Sequence, residues 1–267
     1  MKDVFVGIDV ACARAKRLPI CFSAKDGRRL VPLEIAADVS KGMPRGLGNA
    51  EVRQRLAFRA AAAALSDTID SICREMGWRI VRIAIDAPAA PPLNGTRISE
   101  QALSRCGLSV FRTPDNAGWK QLREECEQHL KGGGPLNRLP HANKIWMLYG
   151  FEIFQALRPA NHTEVLEVYP YSIVQEIARG CPHKTTYEGY QMQLKAISER
   201  VGWSSADLER QLQLTVPGSK HDRLDAFMSS WVASLPASQR RAYGSLSDPS
   251  DQIWVPIERN SRGSRSE

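Results

Sequence analysis

Val4-Phe5-Val6-Gly7-Ile8-Asp9-Val10 decides the fold. An apolar run of this kind reads as a central strand covered on both faces. Asp9 interrupts it, and a carboxylate in a buried strand is costly unless it is hydrogen-bonded, paired or bound to a cation. A strand-end Asp accepting backbone hydrogen bonds is the structural alternative.

Outward from this strand, residues 18–24 and 29–36 read as two further strands. They are separated by Ala24-Lys25-Asp26-Gly27, whose Asp-Gly is a hairpin signal. A Gly-rich basic loop over 38–49 precedes a long helix over about 50–76, in which Leu65, Ile69, Ile72 and Met76 recur at helical spacing and Gly77 suits the position past the end. Residues 79–85 form a strand that stops at Asp86-Ala87-Pro88. Residues 163–169 form another, Thr163-Glu164-Val165-Leu166-Glu167-Val168-Tyr169, ended by Pro170.

Helices are expected at 97–106, 119–130 and 142–157, so that about 90–160 reads as a helical insertion. More follow at 171–179, 187–201, 204–213 and 220–235, before a short strand at 252–256. This order predicts one α/β domain over 1–258, a mixed sheet with helices on both faces, and a disordered basic tail over 259–267.

Three strands of buried type thus carry an acid near their C-terminal ends: Asp9, Asp86 and Glu167. Ligands of open α/β sheets bind beyond those ends. Singly, Asp86 reads equally as a turn-initiating residue and Glu167 as a solvated one. The coincidence of three is what points to a site. The run His221-Asp222-Arg223-Leu224-Asp225 adds two acids on one face of the last helix. Asp222 also stands three residues after Ser219, where the acid of a capping box belongs, whereas Asp225 lies beyond the cap region.

Composition sets the limits. The chain has 267 residues, 43% of them hydrophobic, and no apolar stretch long enough for a membrane span. Met1-Lys2-Asp3 leads directly into the core strand with no leader-like segment, and the six cysteines lack the spacing of a zinc site. A cytoplasmic chain with free thiols and no membrane partner is the expectation. Thirty-six Lys and Arg against 29 Asp and Glu give +7, which suits a phosphate-bearing partner and equally a soluble protein.

Gly7-Ile8-Asp9-Val10-Ala11, Ala84-Ile85-Asp86-Ala87-Pro88, Glu167-Val168-Tyr169-Pro170 and His221-Asp222-Arg223-Leu224-Asp225-Ala226 resemble, in order, the motifs of the domain of unknown function 429 family. Arg97-Ile98-Ser99-Glu100 and Lys184 with Gly189 resemble two further segments of that family. The resemblance implies an RNase H-like fold and a nuclease acting on DNA or RNA. Asp9, Asp86, Glu167 and Asp225 would then be catalytic. With Asp222 they would hold Mg²⁺ or Mn²⁺ in a two-metal-ion mechanism. Arg97, Lys184 and His221 are candidate substrate contacts.

Two other functions compete. A nucleotide hydrolase or phosphotransferase of the related actin-like fold also begins with an Asp in strand one, but normally follows it with a Gly and Ser/Thr phosphate loop. Here the residues are Val10-Ala11-Cys12. A catalytically silent nucleic-acid-binding module would keep the same acids.

Overall fold

The computed structural model describes residues 1–10, 16–35, 42–48, 55–158 and 163–257. The expected tail over 259–267, positions 38–41 and 49 of the expected Gly-rich loop, the start of the first long helix at 50–54, and Cys12 lie outside them.

Among the described residues, seven strands form one mixed sheet in the order β3-β2-β1-β4-β5-β7-β6. Strand β1 (Lys2–Asp9) is central, with β2 (Ile20–Asp26) antiparallel on one side and β4 (Trp78–Asp86) parallel on the other. The hairpin from β2 to β3 (Arg29–Pro32) turns at Gly27, whose φ of 57° is the left-handed region that favours glycine. Strand β5 (Glu164–Val168) runs parallel to β4. The far edge is β7 (Gln252–Pro256), parallel to β5, with β6 (Arg240–Gly244) antiparallel beyond it. Strand β6 is not legible in the sequence: only five residues long and at the sheet edge, Arg240-Arg241-Ala242-Tyr243-Gly244 lacks an apolar run.

Alternation along β1 sends its side chains into two cores. Val4, Val6 and Ile8 join Ile83 and Ile85 beneath the helices α1 (Arg55–Glu75) and α4 (Ile145–Leu157). Phe5 and Ala84 face the opposite core, built from α6 (Tyr187–Val201), α7 (Ser205–Thr215) and α8 (Lys220–Ser234). Between β4 and α4 lie α2 (Ile98–Arg105) and α3 (Asn116–Lys131), and α5 (Pro170–Ile177) follows β5. All three of α2, α3 and α4 fall within the stretch over 90–160 expected to be a helical insertion. Helix α4 packs on α1, and Ile145, Leu148, Tyr149 and Phe154 belong to the main core.

Helix α8 lies across β1, β2 and β4. It comes so close at Gly7 that a Cβ there would collide with the Ala226 carbonyl and the Ser230 amide. Gly7 is thus the residue that lets the helix backbone rest on the central strand. Ser23 seals the same contact, its hydroxyl donating to Ser230 Oγ at 3.1 Å.

Candidate metal centre

Asp9 and Asp86 end β1 and β4, and they are direct partners in the parallel ladder. Both follow the side-chain parity of Gly7 and Ala84, so both emerge on the α8 face. Asp225, at the sixth position of α8, comes down onto them. One carboxylate oxygen from each of Asp9, Asp86 and Asp225 lies within 4.8 Å of the others.

The electrostatics are those of acids crowded in a poorly solvated place. Burial, followed by repulsion from Asp86, holds Asp9 well above the usual carboxylate range. Burial also pushes Asp86 up to about 7, with Lys184 opposing the shift. Asp225 is buried, with one oxygen paired to the Lys184 ammonium group. Its other oxygen, Oδ1, is buried without a hydrogen-bond partner. Such an atom costs free energy unless a cation or proton satisfies it.

The other expected ligands are elsewhere. Glu167 is in register with Ile85, not with Asp86, so strand alternation turns it to the opposite face of the sheet. There Arg97 grips it through two hydrogen bonds of 2.6 and 2.7 Å, and Glu167 also accepts from the Ala89 amide at 2.8 Å. This buried pair braces the turn that follows Asp86. Arg97 is 2% exposed and also donates to the Ser250 carbonyl, so the expectation of a substrate-contacting Arg97 gives way to a structural role. Asp251 completes this region by accepting from the Ile98 and Ser99 amides, capping α2 from outside the helix.

Asp222 occupies the capping position. Its carboxylate accepts from the Ser219 amide at 3.1 Å while its own amide donates to Ser219 Oγ, and Lys16 approaches at 3.4 Å. Although burial acts to raise it, these partners hold Asp222 below the usual carboxylate range. His221, in the first turn of α8, packs edge-on against Tyr190 at 5.1 Å. It does not line the cleft described next. Of the three candidate substrate contacts, Lys184 alone stands at the acids.

A cleft of about 330 Å³ opens beside the carboxylates. Asp9, Asp86 and Lys184 line it together with Phe111, Trp146, Tyr169, Tyr171 and His183. These aromatic residues are ones that sequence reasoning missed. They come from separated segments, and nothing in their spacing announces that they meet.

Among the described residues no helix is long and apolar enough to cross a membrane. No curated protein and no solved structure matches the chain. The family model described as "Protein of unknown function (DUF429)" matches residues 4–245, a span holding all three converging acids and Lys184. The chain therefore belongs to the DUF429 family.

Proposed function

We propose that this protein is a metal-dependent nuclease of RNase H-like fold, hydrolysing phosphodiester bonds in DNA or RNA. The observation that carries the reading is the convergence of Asp9, Asp86 and Asp225, one of which, Asp225, keeps a buried oxygen, Oδ1, without a hydrogen-bond partner. Repulsion among three carboxylates in a desolvated pocket is an energetic burden that a divalent cation would remove. All three donors are hard oxygens, which suits Mg²⁺ or Mn²⁺ better than a thiolate-preferring ion.

The strand order β3-β2-β1-β4-β5 supports the fold reading. So do the antiparallel β2 and β3, the acids ending β1 and β4, and the acid on a helix crossing the same face. Strands β7 and β6 extend that arrangement at one edge.

Asp9, Asp86 and Asp225 would hold the ion, and Glu167 and Asp222 would support them from behind. A bound divalent ion would supply Lewis acidity toward a phosphate oxygen and a more acidic water. Lys184 neutralises Asp225 and lies in the cleft, so its ammonium group meets the scissile phosphate of an entering strand. Arg97 and Glu167 hold the turn after Asp86, and so fix the direction in which its carboxylate points.

The test is incubation of the purified protein with end-labelled single- and double-stranded DNA and RNA in Mg²⁺ or Mn²⁺. Cleavage that disappears in EDTA, and falls at least a hundredfold in Asp9→Asn and Asp225→Asn with unchanged circular dichroism, is the expected result. ATP hydrolysis without strand cleavage would replace this reading with the phosphotransferase one. Metal-independent cleavage by all variants would mean that another site, or a contaminant, is responsible.

A further inference from the structure

The cleft is lined by more aromatic surface than the acids need. Phe111 is 49% exposed, although a ring of its size normally avoids water, and it meets two other rings edge-to-face. Trp146 lies 5.9 Å away at 71°, and Tyr169 lies 5.6 Å away at 75°. The Trp146 Nε1–H is already used, donating to the Asn143 carbonyl at 2.9 Å, which fixes the indole in place. Tyr171 and His183 form a second edge-to-face pair at 5.1 Å in the same cleft.

Four separate segments supply these rings: the stretch between α2 and α3, helix α4, the residues just after β5, and the stretch between α5 and α6. Core packing does not account for a half-exposed phenyl ring held beside a carboxylate cluster and a lysine. Resting on the nuclease reading, we infer that the Phe111–Trp146–Tyr169 cluster is a stacking subsite for one unpaired nucleobase. The substrate is then a single-stranded or locally unpaired nucleic acid, with the phosphate next to that base presented to Asp9, Asp86 and Lys184.

The physical reason for an unpaired base is geometric. In a duplex both faces of each interior base are covered by its neighbours, so no face is left for an aromatic ring. An unpaired base offers both faces, and protein rings recognise it by stacking. At about 330 Å³ the cleft is at the small end of the range for small-molecule pockets, a size for one nucleotide and not for a double helix. Stacking is tolerant of base identity, so the subsite discriminates strand form more than sequence.

Fluorescence anisotropy of the full chain tests this, using a fluorescein-labelled mixed-sequence 12-mer DNA strand and the blunt duplex of the same sequence. Ca²⁺ is used in place of Mg²⁺ to suppress turnover. Phe111→Leu is the main variant, because an exposed ring can be shortened without opening a core cavity; Trp146→Leu is the second. The single strand should bind at least tenfold tighter than the duplex. Phe111→Leu should weaken single-strand binding fivefold or more and leave the duplex value unchanged. Equal affinity for the two forms, or single-strand binding by Phe111→Leu equal to the parent's, overturns the inference.

A Mn²⁺-induced rise in melting temperature, measured on the same preparations, keeps the two ideas apart. A rise without strand discrimination overturns the base subsite and leaves the metal site standing. Discrimination that Phe111→Leu abolishes, without any metal response, supports the subsite and ends the nuclease reading. Absence of both binding and metal response ends both.

Discussion

Asp9 and Asp86 sit side by side as ladder partners at the ends of two parallel strands, and a one-residue irregularity lower in the pair puts them there. Val4 pairs with Ile80, but Phe5 pairs with Arg82, so Val81 is an extra residue in β4. A one-residue change of register moves a strand's side chains to the other face. Below the bulge Val4 and Ile80 share the α1–α4 core, and above it Ile8 and Ile85 do so. The bulge thus lets both ends of β4 bury their apolar residues and delivers Asp86 to the face where Asp9 and Asp225 meet.

The acid cluster should strain the metal-free protein. Asp9→Asn is expected to melt at or above the parent in EDTA, because one repelling charge has gone. The parent should gain about 2.7 kcal/mol at a free ion concentration near a hundred times the dissociation constant, a rise of roughly 5–10 °C for a chain of this size. The variant should lose most of that rise. Differential scanning calorimetry in EDTA and in millimolar Mn²⁺ measures both. A parent indifferent to the ion, together with a variant that melts lower in both buffers, would mean that these are structural acids.

The same cluster sets a pH dependence. Asp86 titrates near 7 in the fold because burial disfavours its charge, and near 4 when unfolded. Between those values the unfolded chain binds fewer protons than the native one, so the Asp86 contribution to stability falls as pH rises. In EDTA the melting temperature of Asp86→Asn minus that of the parent should grow from about pH 4 to about pH 7 and level off above it. Metal needs the ionised carboxylates, so the Mn²⁺-induced rise of the parent should grow over the same window. A difference that shrinks with pH would reverse the assignment.

Glu167 should behave unlike the three converging acids. Glu167→Ala leaves the buried Arg97 without its main partner, and breaking such a pair from one side costs about 3–5 kcal/mol. A fall of at least 6 °C or so in melting temperature is expected, with the Mn²⁺-induced rise retained. If Glu167→Ala keeps the parent's stability and loses only the metal response, Glu167 is a ligand after all.

Asp222→Asn removes a charge from the start of α8 but keeps an oxygen for the Ser219 amide. The cost should be about 0.3–1 kcal/mol, with the full metal response preserved. Isothermal titration with Mn²⁺ reads this directly, and a tenfold loss of affinity would assign Asp222 to the ion.

Gly7→Ala tests the closeness of α8 to β1. The new methyl group would overlap the backbone at Ala226 and Ser230, so the helix must lift or the strand must shift. Overpacking of this kind costs about 1–3 kcal/mol or more, and here it displaces the helix that carries Asp225. Lower stability and a lost Mn²⁺ response should appear together. Normal behaviour in both would mean that the approach is looser than the structure has it.

Much of the fold was legible because it follows from local patterning. The apolar run around Asp9, the Asp-Gly turn, the helical spacing of Leu65, Ile69 and Ile72, and the capping box at Ser219 and Asp222 each depend on residues a few positions apart. The acids that end β1 and β4 could be singled out for the same reason, because a carboxylate at the end of an apolar run is conspicuous whatever surrounds it, and Asp225 because it shares a helix face with Asp222 yet lies beyond the cap.

What the chain alone left open was which way each acid faces. Glu167 interrupts an apolar strand as Asp9 does, yet it pairs with Ile85 and turns away to Arg97, whereas Asp86, shifted by the bulge at Val81, turns toward Asp9. Phe111, Trp146 and Tyr169 likewise become neighbours only when a loop, a helix and the residue that follows β5 pack together. Local sequence determined which residues form strands and helices, because dihedral preference and periodic burial act over a few residues. The facing of Glu167 and the meeting of the rings were decided by the tertiary structure, because strand register and helix docking balance the burial of the whole sheet, and a one-residue shift in that balance exchanges its two faces.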